Sequence, residues 1–368
     1  MKIYNQKKKS IQQRLLKWYG ENARDLPWRR TKDPYAVWIS EIMLQQTQVK
    51  TVIPYYKKFL QRLSNVKTLS RAHRSTVLKL WEGLGYYKRA VNLHKASRII
   101  VSDYDGKFPK TSKQLQRLPG VGRYTSCAIA SIAFDENVPV VDGNVTRVLS
   151  RLFRIKDNTS SLSVHKKLWN LASALIPAKN AGTFNQALME LGSRACIPKN
   201  PHCMECPLKH QCMAKKFSEQ EIIPFHKSSK KMPFKKYAVA IICKDNKVLI
   251  NKRSSKGLLA GLWEFPTFTK NGRSISKPKL QKIIHQFLGL KTQVQHKCTA
   301  VEHKYSHFTA IMTPYICDYV SGSTQVFKRT KWIVPIELNK FAFSKGYRKV
   351  IEAANKQLSE LKRHRLRA

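Results

Sequence analysis

The stretch "LQRLPGVGRYTSCAIA", Leu115 to Ala130, sets Leu118-Pro119-Gly120-Val121-Gly122 between two helical patterns. Gly120 and Gly122 let the chain turn tightly and leave amide hydrogens exposed. Those amides meet the positive end of a helix expected to begin near Arg123, an arrangement suited to a phosphate. Phosphates carry no base identity, so such a hairpin would hold a nucleic-acid backbone without reading its sequence. The plainer reading is a helix–turn–helix packing unit in which the glycines are caps.

The residues on either side extend the helical pattern. "DPYAVWISEIMLQQ" offers Asp33 as N-cap and Pro34 at the first helical position, followed by apolar residues at helical spacing. "SKQLQRL", "VTRVLSRLF", "HKKLWNLASAL" and "FNQALMELGSRA" repeat that pattern with short connections, so residues 1–212 read as an all-α bundle. Residues 213–235 are polar, basic and unperiodic, and are expected to form a linker. From 236 to 355 the chain changes character. "YAVAIIC", "KVLINKRS", "GLWEFPTF" and "HFTAIMTPYICDYV" are β-branched or aromatic, "KDN" and "KNG" mark turns, and "KPKLQKIIHQFL" and "YRKVIEAANKQLSEL" are helical. This is a mixed α/β domain, followed by a basic tail at 356–368.

The 368 residues carry 69 Lys and Arg against 22 Asp and Glu, a formal charge of +47. That excess exceeds what solubility needs and points to a polyanionic partner, most simply nucleic acid. The bland alternative is a well-solvated basic surface. No apolar run approaches the roughly 18 residues of a membrane helix, and no apolar segment follows the basic start "MKIYNQKKKS", so neither a membrane partner nor a secretory signal is expected.

Four of the eight cysteines, Cys196, Cys203, Cys206 and Cys212, fall in a C-x6-C-x2-C-x5-C array. In such a chain they suggest a metal site in a reducing compartment rather than disulfides. Zinc sites usually pair two short Cys-x2-4-Cys units. A single such unit, with Cys206-Pro207 echoing the ferredoxin ligand run, suits one [4Fe–4S] cluster better, and zinc remains the alternative. Lys199, His202, Lys209 and His210 lie within the loop, so a metal there would shape a basic, phosphate-contacting surface.

Acidic residues are scarce, and two of them sit in apolar settings: Glu41 in "VWISEIMLQQT" and Asp142 in "VPVVDGNVTRVL". A dry pocket raises a carboxyl pKa, so Glu41 could hold a proton and act as a general acid. Asp142 could stay ionised by accepting hydrogen bonds from backbone or Asn144. Two unlike carboxyls are what cleavage of a glycosidic bond requires, one for the leaving group and one for the oxocarbenium ion. The competing readings are a helix N-cap for Asp142 and a salt-bridged surface residue for Glu41.

The hairpin, "VVDGNV" and the cysteine array, in that order, resemble the endonuclease III superfamily of helix-hairpin-helix DNA glycosylases. "LPW", "WISEIMLQQTQVKTVIPYY", "LWEGLGYYKRAVNLH" and "FPKT" are close to the adenine DNA glycosylases of the MutY type. The resemblance runs from Leu15 to about Glu352. It implies removal of adenine mispaired with 8-oxoguanine or guanine in duplex DNA, after the adenine is flipped out of the stack. It implies that Glu41 protonates the adenine, that Asp142 stabilises the sugar cation, and that Asn144 orients Asp142. Trp28, Arg29, Leu44 and Glu190 would line the pocket, and Gln45 and Tyr86 would enter the DNA stack. Gly120 and Gly122 would hold the backbone, and the four cysteines would ligate a [4Fe–4S] cluster. Tyr124 stands where bifunctional relatives carry a Schiff-base lysine, so a monofunctional enzyme that leaves an abasic site is expected.

The C-terminal part resembles the Nudix-like domain of the same family. An active Nudix hydrolase needs an R-E-x-x-E-E helix, and "TKNGRSISKPKLQKIIHQFLG" lacks that carboxylate cluster, so no pyrophosphate hydrolysis is expected. "EHKYSHF" resembles the loop that probes 8-oxoguanine, with Tyr305 in place of the usual phenylalanine and with Ser306 and His307 matching. The expected fold is therefore multidomain: an all-α glycosylase with a cluster loop, plus an α/β recognition domain. The expected setting is cytoplasmic and nucleoid-associated, as a monomer on double-stranded DNA carrying A:8-oxoguanine or A:G mispairs. Two rivals are an endonuclease III-like glycosylase/lyase for damaged pyrimidines and a non-catalytic redox regulator. Tyr124 and the added domain argue against the first, and the carboxylate pair against the second.

Overall fold

The computed structural model describes residues 2–225, 232–255, 257–269, 274–324 and 329–365, with backbone alone at 2–5 and 356–365. The chain divides into two compact units, Met1–Ala72 with Asn92–Ser229, and His73–Val91 with Lys230–Ala368.

The first unit is helical. Its helices are α1 (Lys2–Asn22), α2 (Pro34–Leu44), α3 (Val49–Arg62) and α4 (Val66–Arg71). The chain then forms α5 (Arg74–Leu80), which belongs to the second unit, and α6 (Lys88–Asp103), which belongs to the first from Asn92 onward. There follow α7 (Ser112–Leu115), α8 (Arg123–Phe134), α9 (Gly143–Leu152), α10 (Leu162–Leu175), α11 (Ala181–Arg194) and α12 (Met213–Lys216). The caps follow the residue chemistry. Asp33 accepts from the amides of Tyr35 and Ala36 ahead of Pro34, and Asp142 accepts from the amide of Val145. Helix α1 is missing from the sequence reading because it is polar, contributing Ile11 and Leu15 to the core. That core is built on α8, α9, α10 and α11 around Leu149, Leu168, Phe184 and Leu188.

The segment expected as a linker is folded as far as Phe225. Its Glu219 pairs with Arg154 and Lys156, and the Ile223 carbonyl accepts from Arg151 Nε at 2.8 Å. Residues 226–231 lie outside the described residues.

In the second unit a mixed sheet contains β1 (Phe234–Lys244), β2 (Lys247–Lys252), β3 (Trp263–Glu264), β4 (Thr267–Phe268), β5 (Leu290–Lys297), β6 (Val301–Lys304), β7 (Thr309–Gly322) and β8 (Thr330–Ile333). Its order is β3-β2-β1-β7-β5, with β4 on β1, β6 on β7 and β8 on β2, and among the described strand pairs only β1–β7 is parallel. Asp245 and Asn246 both take left-handed backbone in the tight turn after β1, as the "KDN" signal predicts. The "KNG" signal, residues 270–272, lies outside the described residues. Alternation along β1 sends Val239 and Ile241 to a core with Tyr347 and Val350 of α14 (Lys345–Arg365). Ala238, Ala240 and Ile242 face Leu280, Ile284 and Leu288 of α13 (Lys277–Leu288), so the sheet is covered on both faces. Helix α13 carries no carboxylate. Strands β5, β6 and β8 were absent from the sequence reading.

Candidate active site and the residues around it

Glu41 comes from the middle of α2, which packs on α8, and α8 and α9 both pack on α11. The carboxyl is 5% exposed and accepts from Tyr124 Oη at 2.8 Å. It is therefore a buried group, and the salt-bridged surface reading does not hold. Burial pushes its pKa up to about 7; the Tyr124 hydroxyl and the Arg29 charge oppose this, and the charge of Asp142 adds to it. The two carboxyls therefore share one electrostatic environment.

Asp142 is both N-cap and site residue. Its Oδ1 accepts from the Val145 amide at 2.7 Å and its Oδ2 from Asn144 Nδ2 at 2.9 Å. Burial still moves its pKa upward, and these donors with the Arg147 charge only partly offset it. Asn144 is held in turn, since Arg147 Nη2 donates to Asn144 Oδ1 at 2.9 Å and to the Gly192 carbonyl at 2.6 Å. Gly192 lets α11 approach α9 closely, because a Cβ there would sit 2.6 Å from the Asn144 Cβ. The extended run into Asp142 is fixed by buried Asn185, which accepts from Val140 N at 3.2 Å and donates to the Val138 carbonyl at 2.9 Å.

The Tyr124 phenol also reaches Met189 Sδ at 3.3 Å, and burial drives its pKa well above the usual phenol value. It stays protonated and serves as a donor. Glu190 is fully buried. Burial alone would raise its carboxyl, but bonds from Arg24 and Arg29 outweigh that and hold it at about 2. Arg29 feels Glu41, so Arg24, Arg29, Glu190 and Glu41 form one connected charge set. Trp28 is buried edge-on against Tyr56 at 5.4 Å, Leu44 is half-buried, and Gln45 Nε2 donates to Thr125 Oγ1 at 3.1 Å. Arg24 and Asn185 were missed by the sequence reading. The signal available was a polar residue at a core position of a helix, or an arginine beside an already suspected one.

At the hairpin, Gly120 has φ +79 and lies so close to Asn92 that a Cβ would meet the Asn92 Cβ at 2.7 Å. Gly122 differs from expectation: it is the N-cap of α8 with φ −85, a conformation open to any residue, and a Cβ would meet nothing within 4 Å. Gly120 makes the turn, and Gly122 keeps the helix end exposed.

The four cysteines of the array are half-buried, and Cys196, Cys206 and Cys212 pack on the helical core. Burial, then the neighbouring thiols, raise the pKa of Cys203; Cys206 is pushed to about 12, the Leu208 amide opposing. Among the described residues no three His, Cys, Asp or Glu side chains come together tightly enough for a single ion. The thiols of the array nevertheless lie close enough to feel one another's charge. Its sulfurs also have donors: the Leu208 amide at Cys206, the Ala214 and Lys215 amides at Cys212, and Arg151 Nη1 at Cys196, 3.4 Å away. Lys199, His202 and His210 are exposed on the loop.

In the second unit Tyr86 is 46% exposed at φ 47, and its Oη accepts from exposed Ser306 Oγ at 3.0 Å. His307 is exposed beside it. Tyr305 precedes them on the same loop. It is half-buried, stacked on Phe308 at 4.9 Å and packed against the sheet core, with its hydroxyl directed at Gly346. The added hydroxyl finds polar company at Ser344, which favours the inward pose.

Residues 39–174 match the HhH-GPD superfamily of base excision DNA repair proteins, and residues 237–353 match the NUDIX domain. The chain is 40% identical over 306 residues to adenine DNA glycosylase of Buchnera aphidicola subsp. Schizaphis graminum, covering 83% of this chain and 86% of the relative. It is 35% identical over 395 residues to the Homo sapiens adenine DNA glycosylase, covering 91% and 72% of the two chains. A solved thermostable thymine-DNA glycosylase is 32% identical with a TM-score of 0.53, covering 58% of this chain and 98% of its own. With a helical glycosylase region, a Nudix-like α/β region and relatives at this identity over most of its length, the chain belongs to the adenine DNA glycosylase family of base-excision repair enzymes.

Proposed function

We propose that the chain hydrolyses the N-glycosidic bond of adenine paired with 8-oxoguanine or guanine in duplex DNA and leaves an abasic site. The observation that carries this is Glu41: a carboxyl 5% exposed, raised to about 7, and in the field of a second carboxyl. At neutral pH a large fraction holds a proton ready for the adenine ring. Asp142, with N–H donors on both oxygens, faces the sugar as positive charge develops, and Asn144 fixes its plane. Tyr124 holds Glu41 in place, and a phenol forms no Schiff base, so no lyase step follows. Trp28, Arg29, Leu44 and Glu190 would wall the adenine pocket, and Gln45 and Tyr86 would enter the stack. The basic hairpin at Gly120–Gly122 and the cysteine loop would grip phosphates.

Cys196, Cys203, Cys206 and Cys212 would hold a [4Fe–4S] cluster, which supplies a fixed loop shape rather than chemistry at the sugar. Residues 236–355 would form the recognition domain, drawing on His73–Val91, and Ser306 with Tyr86 would meet the base opposite the adenine.

The test is excision from an A:8-oxoguanine duplex in single turnover, with alkali-dependent strand cleavage as readout. Glu41→Gln should lose about 10²–10⁴-fold, the usual worth of a positioned general acid. Equal rates for the two proteins would end the proposal, and abundant borohydride-trapped adduct would end its monofunctional part.

A further inference from the structure

Glu82 lies in "LWEGLGYY", between α5 and Tyr86. Its side chain is 14% exposed and is bonded on every side. Lys79 Nζ donates to Oε2 at 2.5 Å, and Arg348 Nε to Oε1 at 2.5 Å. The Phe343 amide donates to Oε1 at 3.1 Å. The partners are themselves tied to the segment before α14: Lys79 Nζ donates to the Phe341 carbonyl at 3.2 Å, and Arg348 Nη2 to the same oxygen at 2.8 Å. Tyr87 Oη donates to the Phe343 carbonyl at 3.2 Å and accepts from Gly83 N at 3.0 Å.

The loop that this carboxylate anchors holds one residue, Tyr86, in a costly backbone conformation. Gly83, Gly85 and Tyr86 have φ of 94, 77 and 47, and a tyrosine in left-handed backbone persists only where its surroundings over-determine it. The consequence of holding it there is the 3.0 Å bond between Ser306 Oγ and Tyr86 Oη, two residues 220 positions apart. Ser306 sits on the turn from β6 to β7, whose base is closed by Tyr305 N donating to the Phe308 carbonyl at 2.9 Å.

We infer that Glu82 is a positioning residue for mispair specificity: by clamping its loop to Arg348 and Phe343, it presets the Tyr86 ring and the Ser306 hydroxyl as a single probe for the base opposite the adenine. This rests on the proposed role of Tyr86 and Ser306. An unanchored loop would have to be ordered at each encounter, and that ordering would cost binding to the damaged pair before any contact is gained.

The experiment measures single-turnover excision and DNA affinity on A:8-oxoguanine and A:G duplexes for the full chain. Its variants are Glu82→Gln, Arg348→Gln, the double Glu82→Gln/Arg348→Gln, and Tyr86→Ala/Ser306→Ala. The preference for 8-oxoguanine over guanine should fall about tenfold in Glu82→Gln, the scale of coupling within one ion-pair network, with the A:G rate within about twofold of the parent. Arg348→Gln should do the same, and the double variant should fall no further. Additive losses, or equal losses on both duplexes, would overturn the clamp and leave Glu82 a stability residue. If Tyr86→Ala/Ser306→Ala lowers the preference and Glu82→Gln does not, the inference fails alone. If Tyr86→Ala/Ser306→Ala leaves the preference intact, the underlying reading of that pair fails and the inference falls with it.

Discussion

Replacing Glu41 by Gln should make the folded protein more stable while removing its activity, and the gain should depend on pH. The Glu41 carboxyl has a folded pKa of about 7 against an ordinary value of 4.5, so the folded state resists losing a proton that the unfolded state gives up readily. Its contribution to stability is intact below about pH 4.5, declines as pH rises toward 7, and is fully lost above. Each pH unit of difference is worth about 1.4 kcal/mol, so the cost reaches about 3 kcal/mol at pH 8.5 and is about 1 kcal/mol at pH 5. A glutamine keeps the shape, accepts from Tyr124 and has no charge to desolvate. For a helical unit of about 200 residues, 3 kcal/mol corresponds to roughly 6–12 °C. Thermal unfolding of parent and Glu41→Gln, followed by near-ultraviolet circular dichroism at the two pH values, gives the comparison. The expected result is a higher midpoint for the variant at pH 8.5 and a much smaller gain at pH 5. Equal midpoints at pH 8.5, or a larger gain at the acid end, would refute the claim that burial keeps this carboxyl neutral.

Gly192→Ala would place a Cβ 2.6 Å from that of Asn144, and α9 and α11 would have to separate. About 1–3 kcal/mol of overpacking and about a hundredfold slower single-turnover excision are expected, with affinity for uncleavable DNA little changed; unchanged excision would contradict the positioning of Asn144. Tyr124→Phe removes a donor that lowers the Glu41 pKa, so the alkaline limb of the pH–rate profile should move up by about one pH unit, and an unmoved limb would count against the bond. With a formal charge of +47, the plot of log Kd against log salt should be steep, by about 0.9 for each phosphate neutralised, whereas a shallow plot would show that the surplus charge does not engage DNA.

Much of the site was legible because it is written in local chemistry. Asp33 and Asp142 announce helix starts, and a carboxylate set among Trp38, Ile42 and Met43 announces a buried acid. What escaped depends on distant partners. Arg24 meets Glu190 across 166 positions and Asn185 reaches Val138 across 47, and no periodicity encodes such pairings. Helix α1 and strands β5, β6 and β8 are polar or short, so their packing rather than their pattern defines them. Tyr305 was placed by analogy with phenylalanine, and the analogy names no partner for the hydroxyl that lies beside Ser344 and Gly346.

The membership of His73–Val91 in the second unit has a consequence for biosynthesis. On the ribosome this segment emerges early, and the sheet it belongs with is translated only after the rest of the helical unit. At about 5–20 residues per second that leaves an interval of roughly tens of seconds in which Glu82 has no Arg348 to meet. A nascent chain stalled before Lys230 should therefore show the helical unit protected from protease and the 73–91 stretch open to it.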